Sequence, residues 1–149
     1  MPDITVQTSR ILLVEDDHDD AALAQRAFRK ANVWNPLDVA RSGQEAWEYL
    51  THQGAFADAA KYPPPLFVLV DLNLPGMDGR ELISRIQSDA ALRHIPLLVV
   101  STSDYEKDIE FGRKLGVQHY VIKPLQPQNI LAFIGALPGF QIILGNTAG

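Results

Sequence analysis

The feature that most constrains this chain is an alternation of short apolar runs with stretches of helical periodicity. The runs are Ile11–Val14, Leu37–Ala40, Leu66–Val70, Leu97–Val100 and Tyr120–Ile122. Three of them hold four or five apolar residues without a break, the pattern of strands covered on both faces. Helical patterns fall at Asp19–Asn32, Gly43–His52, Arg80–Ser88, Tyr105–Leu115 and Asn129–Leu137. In the last, Ile130, Phe133, Ile134 and Leu137 form an i, i+3, i+4, i+7 stripe. This rhythm predicts an α/β fold, a single doubly wound domain on a five-stranded parallel sheet with five helices. Binding sites in such sheets lie outside the carboxyl ends of the strands.

Two segments stand outside the rhythm. Thr51–Pro65 is long for a helix-to-strand connection and ends in three consecutive prolines, so an extended surface insert is expected. Residues 1–9 form a short N-terminal extension, and residues 10–137 hold the domain. Pro138–Gly149 is a tail carrying Phe140, Ile142, Ile143 and Leu144. Four large apolar side chains are costly to leave in water, so the tail either folds back on its own domain or meets a partner.

Composition narrows the classes of function. The 149 residues suit one domain, and the net charge of −5 argues against a nucleic-acid partner. The apolar runs fall far short of the ~18 residues of a membrane span, and Met1–Thr8 lacks a signal peptide's basic start and apolar run. The absence of cysteine excludes disulfides and thiolate metal sites and suits a reducing compartment. A cytoplasmic protein is expected, with no membrane contact.

The strand ends carry the chemistry. Glu15, Asp16 and Asp17 follow the first run; Asp71 and Asn73 follow the third; Ser101 and Thr102 follow the fourth; Lys123 and Pro124 follow the fifth. A parallel sheet brings all four groups to one edge. Glu15, Asp16 and Asp71 would repel one another unless offset. One Mg²⁺ together with the Lys123 ammonium balances the three charges, and carboxylate and carbonyl oxygens are the ligands Mg²⁺ prefers. An Asp71 oxygen could then attack a phosphoryl group in line, a reaction that depends on positioning and charge stabilisation, with Ser101 as a further donor. Taken singly, each residue has a plainer role: helix cap for Asp16 or Asp17, turn residue for Asp71, loop hydroxyl for Ser101, solvated lysine for Lys123. Their convergence favours the joint role.

The strings ILLVEDD (Ile11–Asp17), VDLNLPGMDG (Val70–Gly79), PLLVVST (Pro96–Thr102) and YVIKPL (Tyr120–Leu125) resemble the response-regulator receiver (CheY-like) family, over about Arg10 to Leu137. The resemblance implies a flavodoxin-like sheet of order 2-1-3-4-5. It implies Asp71 as phosphoacceptor and Glu15, Asp16, Asp71 and the Asn73 backbone carbonyl around Mg²⁺, with Mn²⁺ able to substitute. It further implies Ser101 and Thr102 at the switch position, Lys123 as the phosphate-binding lysine, a cis bond between Lys123 and Pro124, and Tyr120 as the switch aromatic. Glu15 stands for the more frequent Asp and Ser101 for the more frequent Thr; both keep the chemical group. The insert with its Tyr62-Pro63, the DLNLPGMDGRE segment and the apolar tail are similar to stand-alone regulators that accompany bacterial and cyanobacterial phytochromes. That likeness implies a sensor histidine kinase as partner, phytochrome-type among the candidates, and a tendency to dimerise. The expected homodimer uses the face of the fourth helix, fifth strand and fifth helix together with the apolar tail residues Phe140, Ile142, Ile143 and Leu144.

Other classes fit less well. A haloacid-dehalogenase-type phosphatase also forms an aspartyl phosphate but needs an acid/base Asp two residues on, where this chain has Asn73. A turnover enzyme is therefore not expected. No G-x-G-x-x-G follows the first run, which argues against dinucleotide binding. About a dozen residues follow the last helical pattern, too few for a DNA-binding output domain, so output through protein contacts or phosphoryl relay is expected. His18 reads as a solvent-facing first-turn residue, and Trp34 and Trp47 read as packing residues.

Overall fold

The computed structural model describes residues 9–74, 76–102, 110–111, 113–114, 117 and 119–137. Five strands form one parallel sheet: β1 (Ile11–Val14), β2 (Leu37–Ala40), β3 (Val68–Asp71), β4 (Leu97–Ser101) and β5 (His119–Ile122). Their order is β2-β1-β3-β4-β5, as the resemblance implied, and every neighbouring pair is parallel.

Among the described residues four α-helices stand in place of the five expected: α1 (His18–Lys30), α2 (Gly43–Thr51), α3 (Gly79–Ser88) and α4 (Pro127–Gly135). The expected helix at Tyr105–Leu115 lies mostly outside the described residues, of which Glu110, Phe111, Arg113 and Lys114 are helical. The tail from Pro138, with Phe140, Ile142, Ile143 and Leu144, also lies outside them.

Local chemistry sets the helix starts. Asp17, Ser42 and Asp78 cap α1, α2 and α3 by accepting from backbone N–H groups of the first turn. In α4, Pro127 occupies the first turn behind a reciprocal Gln126–Asn129 capping box, which moves the start two residues ahead of the expected Asn129. Alternation along the strands divides the core into two layers. Leu12, Val14, Val68, Val70 and Val99 pack against Tyr49 of α2 and Leu82, Ile83 and Ile86 of α3. On the other face, Ile11, Leu13, Leu69, Leu98 and Val100 pack against Phe28 of α1 and Ile130 and Phe133 of α4.

The insert lies mostly on the surface, as expected, but it is not extended throughout. After His52, whose left-handed φ of 57° ends α2, it makes a 3-10 turn at Gly54–Phe56. Phe56 and Tyr62 then pack on Tyr49, with ring centroids 5.0 to 5.4 Å apart. Pro65 is buried. The aromatic rings give the insert enough apolar surface to dock on α2, which the proline run alone concealed. Trp34 also departs from its reading as a packing residue, being 46% exposed with the Arg29 guanidinium 4.7 Å over its ring.

Candidate functional site

The sheet brings the residues expected at its carboxyl edge into contact. Strand alternation explains which ones meet: Leu13, Leu69 and Val121 face α1 and α4, and two residues further on from each lie Glu15, Asp71 and Lys123. Asp71 and Ser101 are the last residues of β3 and β4 rather than loop residues following them, and Asp71 pairs in register with Val100. Both side chains are thereby held by the sheet. Glu15, Asp71 and Ser101 are buried, whereas Asp16 is exposed.

The Lys123 ammonium donates to Asp71 Oδ2 at 2.8 Å and Glu15 Oε1 at 2.9 Å. It also donates to Asp20 Oδ2 at 2.8 Å, a partner missed in the sequence because Asp20 reads as an ordinary first-turn acid of α1. The spacing held a signal: Asp20 lies four residues after Asp16, on the turn that begins at the sheet edge. The other Asp71 oxygen, Oδ1, accepts the Asn73 N–H at 2.9 Å. Asn73 Nδ2 donates at long distance to Ser101 Oγ and Thr102 Oγ1, at 3.4 and 3.5 Å. The Lys123 N–H donates to the Ser101 carbonyl at 2.8 Å, and the Lys123–Pro124 peptide bond is cis. Tyr120 is half-buried on the face shared by α2 and α3, in register with Val99, two residues before Ser101.

Electrostatics matches this packing. Burial, assisted by the neighbouring Asp71 carboxylate, pushes Glu15 up to about 7 against the opposing pull of Lys123 and the Asp17 N–H. Burial alone would lower the Lys123 pKa, but its bonds to Asp20, Asp71 and Glu15 outweigh burial and hold it above its ordinary value. Lys123 therefore remains a cation while the acid cluster retains unmet negative charge. Carboxylate oxygens of Glu15, Asp16 and Asp71 lie within 4.8 Å of one another. An all-oxygen donor set of that size and charge fits a hard divalent cation.

Gly79 fixes the loop between β3 and α3. A Cβ there would stand 2.3 Å from the Asp71 carbonyl oxygen and 2.6 Å from Leu72 Cα. Only glycine lets the start of α3 close against the strand end that presents Asp71.

The response regulator receiver domain model matches residues 11–135. The chain belongs to the response regulator receiver family. It is 32% identical over 132 residues to the response regulator Rcp1 of Synechocystis sp., covering 89% of this chain and 88% of that one. The structure of Rcp1 in its Mn²⁺-bound form superposes with a TM-score of 0.72, covering 85% of this chain and 90% of that chain at 33% identity. The bacteriophytochrome response regulator AtBRR gives 0.81 at 34% identity, covering 95% of this chain and all of that one. The phosphorylated cyanobacterial phytochrome response regulator RcpA gives 0.73 at 38% identity, over 87% of this chain and 91% of that chain. This receiver is thus a two-component response regulator of CheY-like type, with an acidic pocket suited to a divalent metal. Among its described residues no helix is long and apolar enough to cross a membrane.

Proposed function

We propose that Asp71 accepts a phosphoryl group from a sensor histidine kinase in a Mg²⁺-dependent reaction, and that the receiver signals by the resulting change in its protein contacts. The observation that carries this reading is the Asp71 carboxylate, buried at a strand end, 2.8 Å from a cationic Lys123 and within a three-carboxylate cluster. In the transfer, an Asp71 oxygen forms a bond to phosphorus as the bond from phosphorus to the donor breaks, and the bonding pair leaves with the donor. The attacking atom is a carboxylate oxygen, so this step needs no general base. Lys123 stabilises charge on the phosphoryl oxygens. Bound Mg²⁺ would supply Lewis-acid stabilisation of the same oxygens, held by Glu15, Asp16, Asp71 and the Asn73 carbonyl; Mn²⁺ would serve in its place.

The Ser101 hydroxyl then moves toward the phosphoryl group, with Thr102 beside it, and Tyr120 turns inward. The phosphoryl group shifts this equilibrium by binding the switched arrangement better than the resting one. The likeness to phytochrome response regulators supports a phytochrome-type kinase as the donor. We assign the chain no catalytic turnover, because Asn73 stands where an aspartyl-phosphate phosphatase needs an acid. The apolar residues Phe140, Ile142, Ile143 and Leu144 support a homodimer, to be read by light scattering at micromolar concentration with and without phosphoryl donor.

Incubation with Mg²⁺ and acetyl phosphate, followed by intact mass, tests the central claim. The parent should gain one phosphoryl group and Asp71→Ala none; equal labelling of the two would refute it. Comparing phosphotransfer from a phytochrome-type kinase with transfer from an unrelated histidine kinase tests the partner.

A further inference from the structure

A lysine ammonium has three N–H donors, and in Lys123 all three are committed to carboxylates. Two of the partners, Glu15 and Asp71, are buried members of the three-carboxylate cluster. Asp20 lies outside that cluster, on the first turn of α1, and its side chain is 39% exposed. A phosphoryl group on Asp71 takes over that residue's claim on the Lys123 ammonium, and its oxygens then share the ammonium with Glu15 and Asp20. Glu15 is buried within the cluster and cannot turn to water. Asp20 can pass to water at once, which costs little. Beside the pair lies a cavity of about 260 Å³ whose further walls include Leu13, Leu23, Val100 and Leu125. These apolar walls offer no replacement anion to an ammonium released from Asp20.

We propose that Asp20 is a positioning residue that competes with the phosphoryl group for Lys123 and so sets how readily the receiver is charged. The inference rests on the reading of Asp71 as phosphoacceptor. Removing the Asp20 charge frees one Lys123 donor for the phosphoryl oxygens, whereas glutamate at the same place keeps the competitor. General loss of negative charge would also favour an anionic donor, and Asp19→Asn isolates that effect. Asp19 is the exposed neighbour on the same helical turn.

The test uses the full chain with saturating Mg²⁺. The second-order rate constant for labelling by acetyl phosphate is read by intact mass, and affinity for beryllofluoride, a phosphoryl mimic, is read by calorimetry. Asp20→Asn should raise the rate constant about fivefold and tighten beryllofluoride binding by a similar factor. Asp20→Glu should stay at the parent value, and Asp19→Asn within about twofold. Asp20→Ser repeats the charge removal should the Asn variant fail to fold, as judged by circular dichroism melts. Labelling of Asp20→Asn that is slower than the parent, equal to it or matched by Asp19→Asn overturns the inference while leaving Asp71 in place. Failure of the parent to be labelled, or labelling of Asp71→Ala, overturns the phosphoacceptor reading and this inference with it.

Discussion

The Lys123 ammonium lies 2.8 Å from Asp71 Oδ2 across 52 positions of sequence, while holding Glu15 at 2.9 Å. One cation therefore offsets two buried carboxylates that would otherwise repel each other.

Lys123→Ala removes that offset. Without metal the variant should lose about 2 kcal/mol of stability, because two buried carboxylates lose their partner. Saturating Mg²⁺ should restore more stability to the variant than to the parent, since it supplies the missing positive charge. Labelling by acetyl phosphate should slow about 100-fold. Urea denaturation with Mg²⁺ or with EDTA checks the first two statements, and a metal response no larger than the parent's would count against them.

Gly79→Ala forces a methyl group into the Asp71 carbonyl and the Leu72 backbone. These are backbone atoms and cannot swing aside, so the loop after β3 must move. A loss of about 2 kcal/mol is expected, together with weaker Mg²⁺ binding because Asp71 and Asn73 shift. Thermal melts and metal titration measure the two effects; unchanged metal affinity would show that the close approach does not hold the site.

Tyr49 donates its hydroxyl to Asp38 Oδ2 at 2.5 Å, and Arg10 holds the same carboxylate from the other side at 2.8 and 3.1 Å. Burial, then the bond to Asp38, raises the Tyr49 pKa above its ordinary value. The folded state thus resists ionisation, so the contribution is complete below pH ~10 and is lost as pH rises beyond it. Absorbance at 295 nm should show one tyrosine ionising later than the rest, absent in Tyr49→Phe. That variant should cost about 1 kcal/mol near neutral pH.

Tyr62→Ala removes one ring of the three that dock the insert on α2. The expected cost is about 2 kcal/mol, with faster proteolytic cleavage between Thr51 and Pro65. Limited proteolysis followed by mass spectrometry locates the cuts, and unchanged cleavage would mean that the ring contacts do not fasten the segment.

Much of the fold could be read from local pattern. The unbroken apolar runs at Ile11–Val14 and Leu97–Val100 marked strands covered on both faces, and the spacing of carboxylates, hydroxyl and lysine after successive runs marked the edge where Asp71 sits. The helix ends were less legible. Pro127 and the Gln126–Asn129 box set the start of α4, and His52 ended α2 through a left-handed backbone, both depending on geometry that hydrophobic periodicity does not encode. The docking of the insert was not legible because Phe56 and Tyr62 gain their value only once Tyr49 is beside them.

The sequence by itself determined the parallel α/β order and the residue types gathered at one sheet edge, because periodicity and strand-end position are local properties of the chain. Only the tertiary structure decided which of those groups touch. Lys123 takes Asp20 as its third partner because α1 crosses the face to which strand alternation turns Glu15, Asp71 and Lys123. Gly79 is required because α3 closes onto the backbone of Asp71. Contacts between residues far apart in the chain depend on how helices lie on the sheet, and that is set by the packing of both layers together.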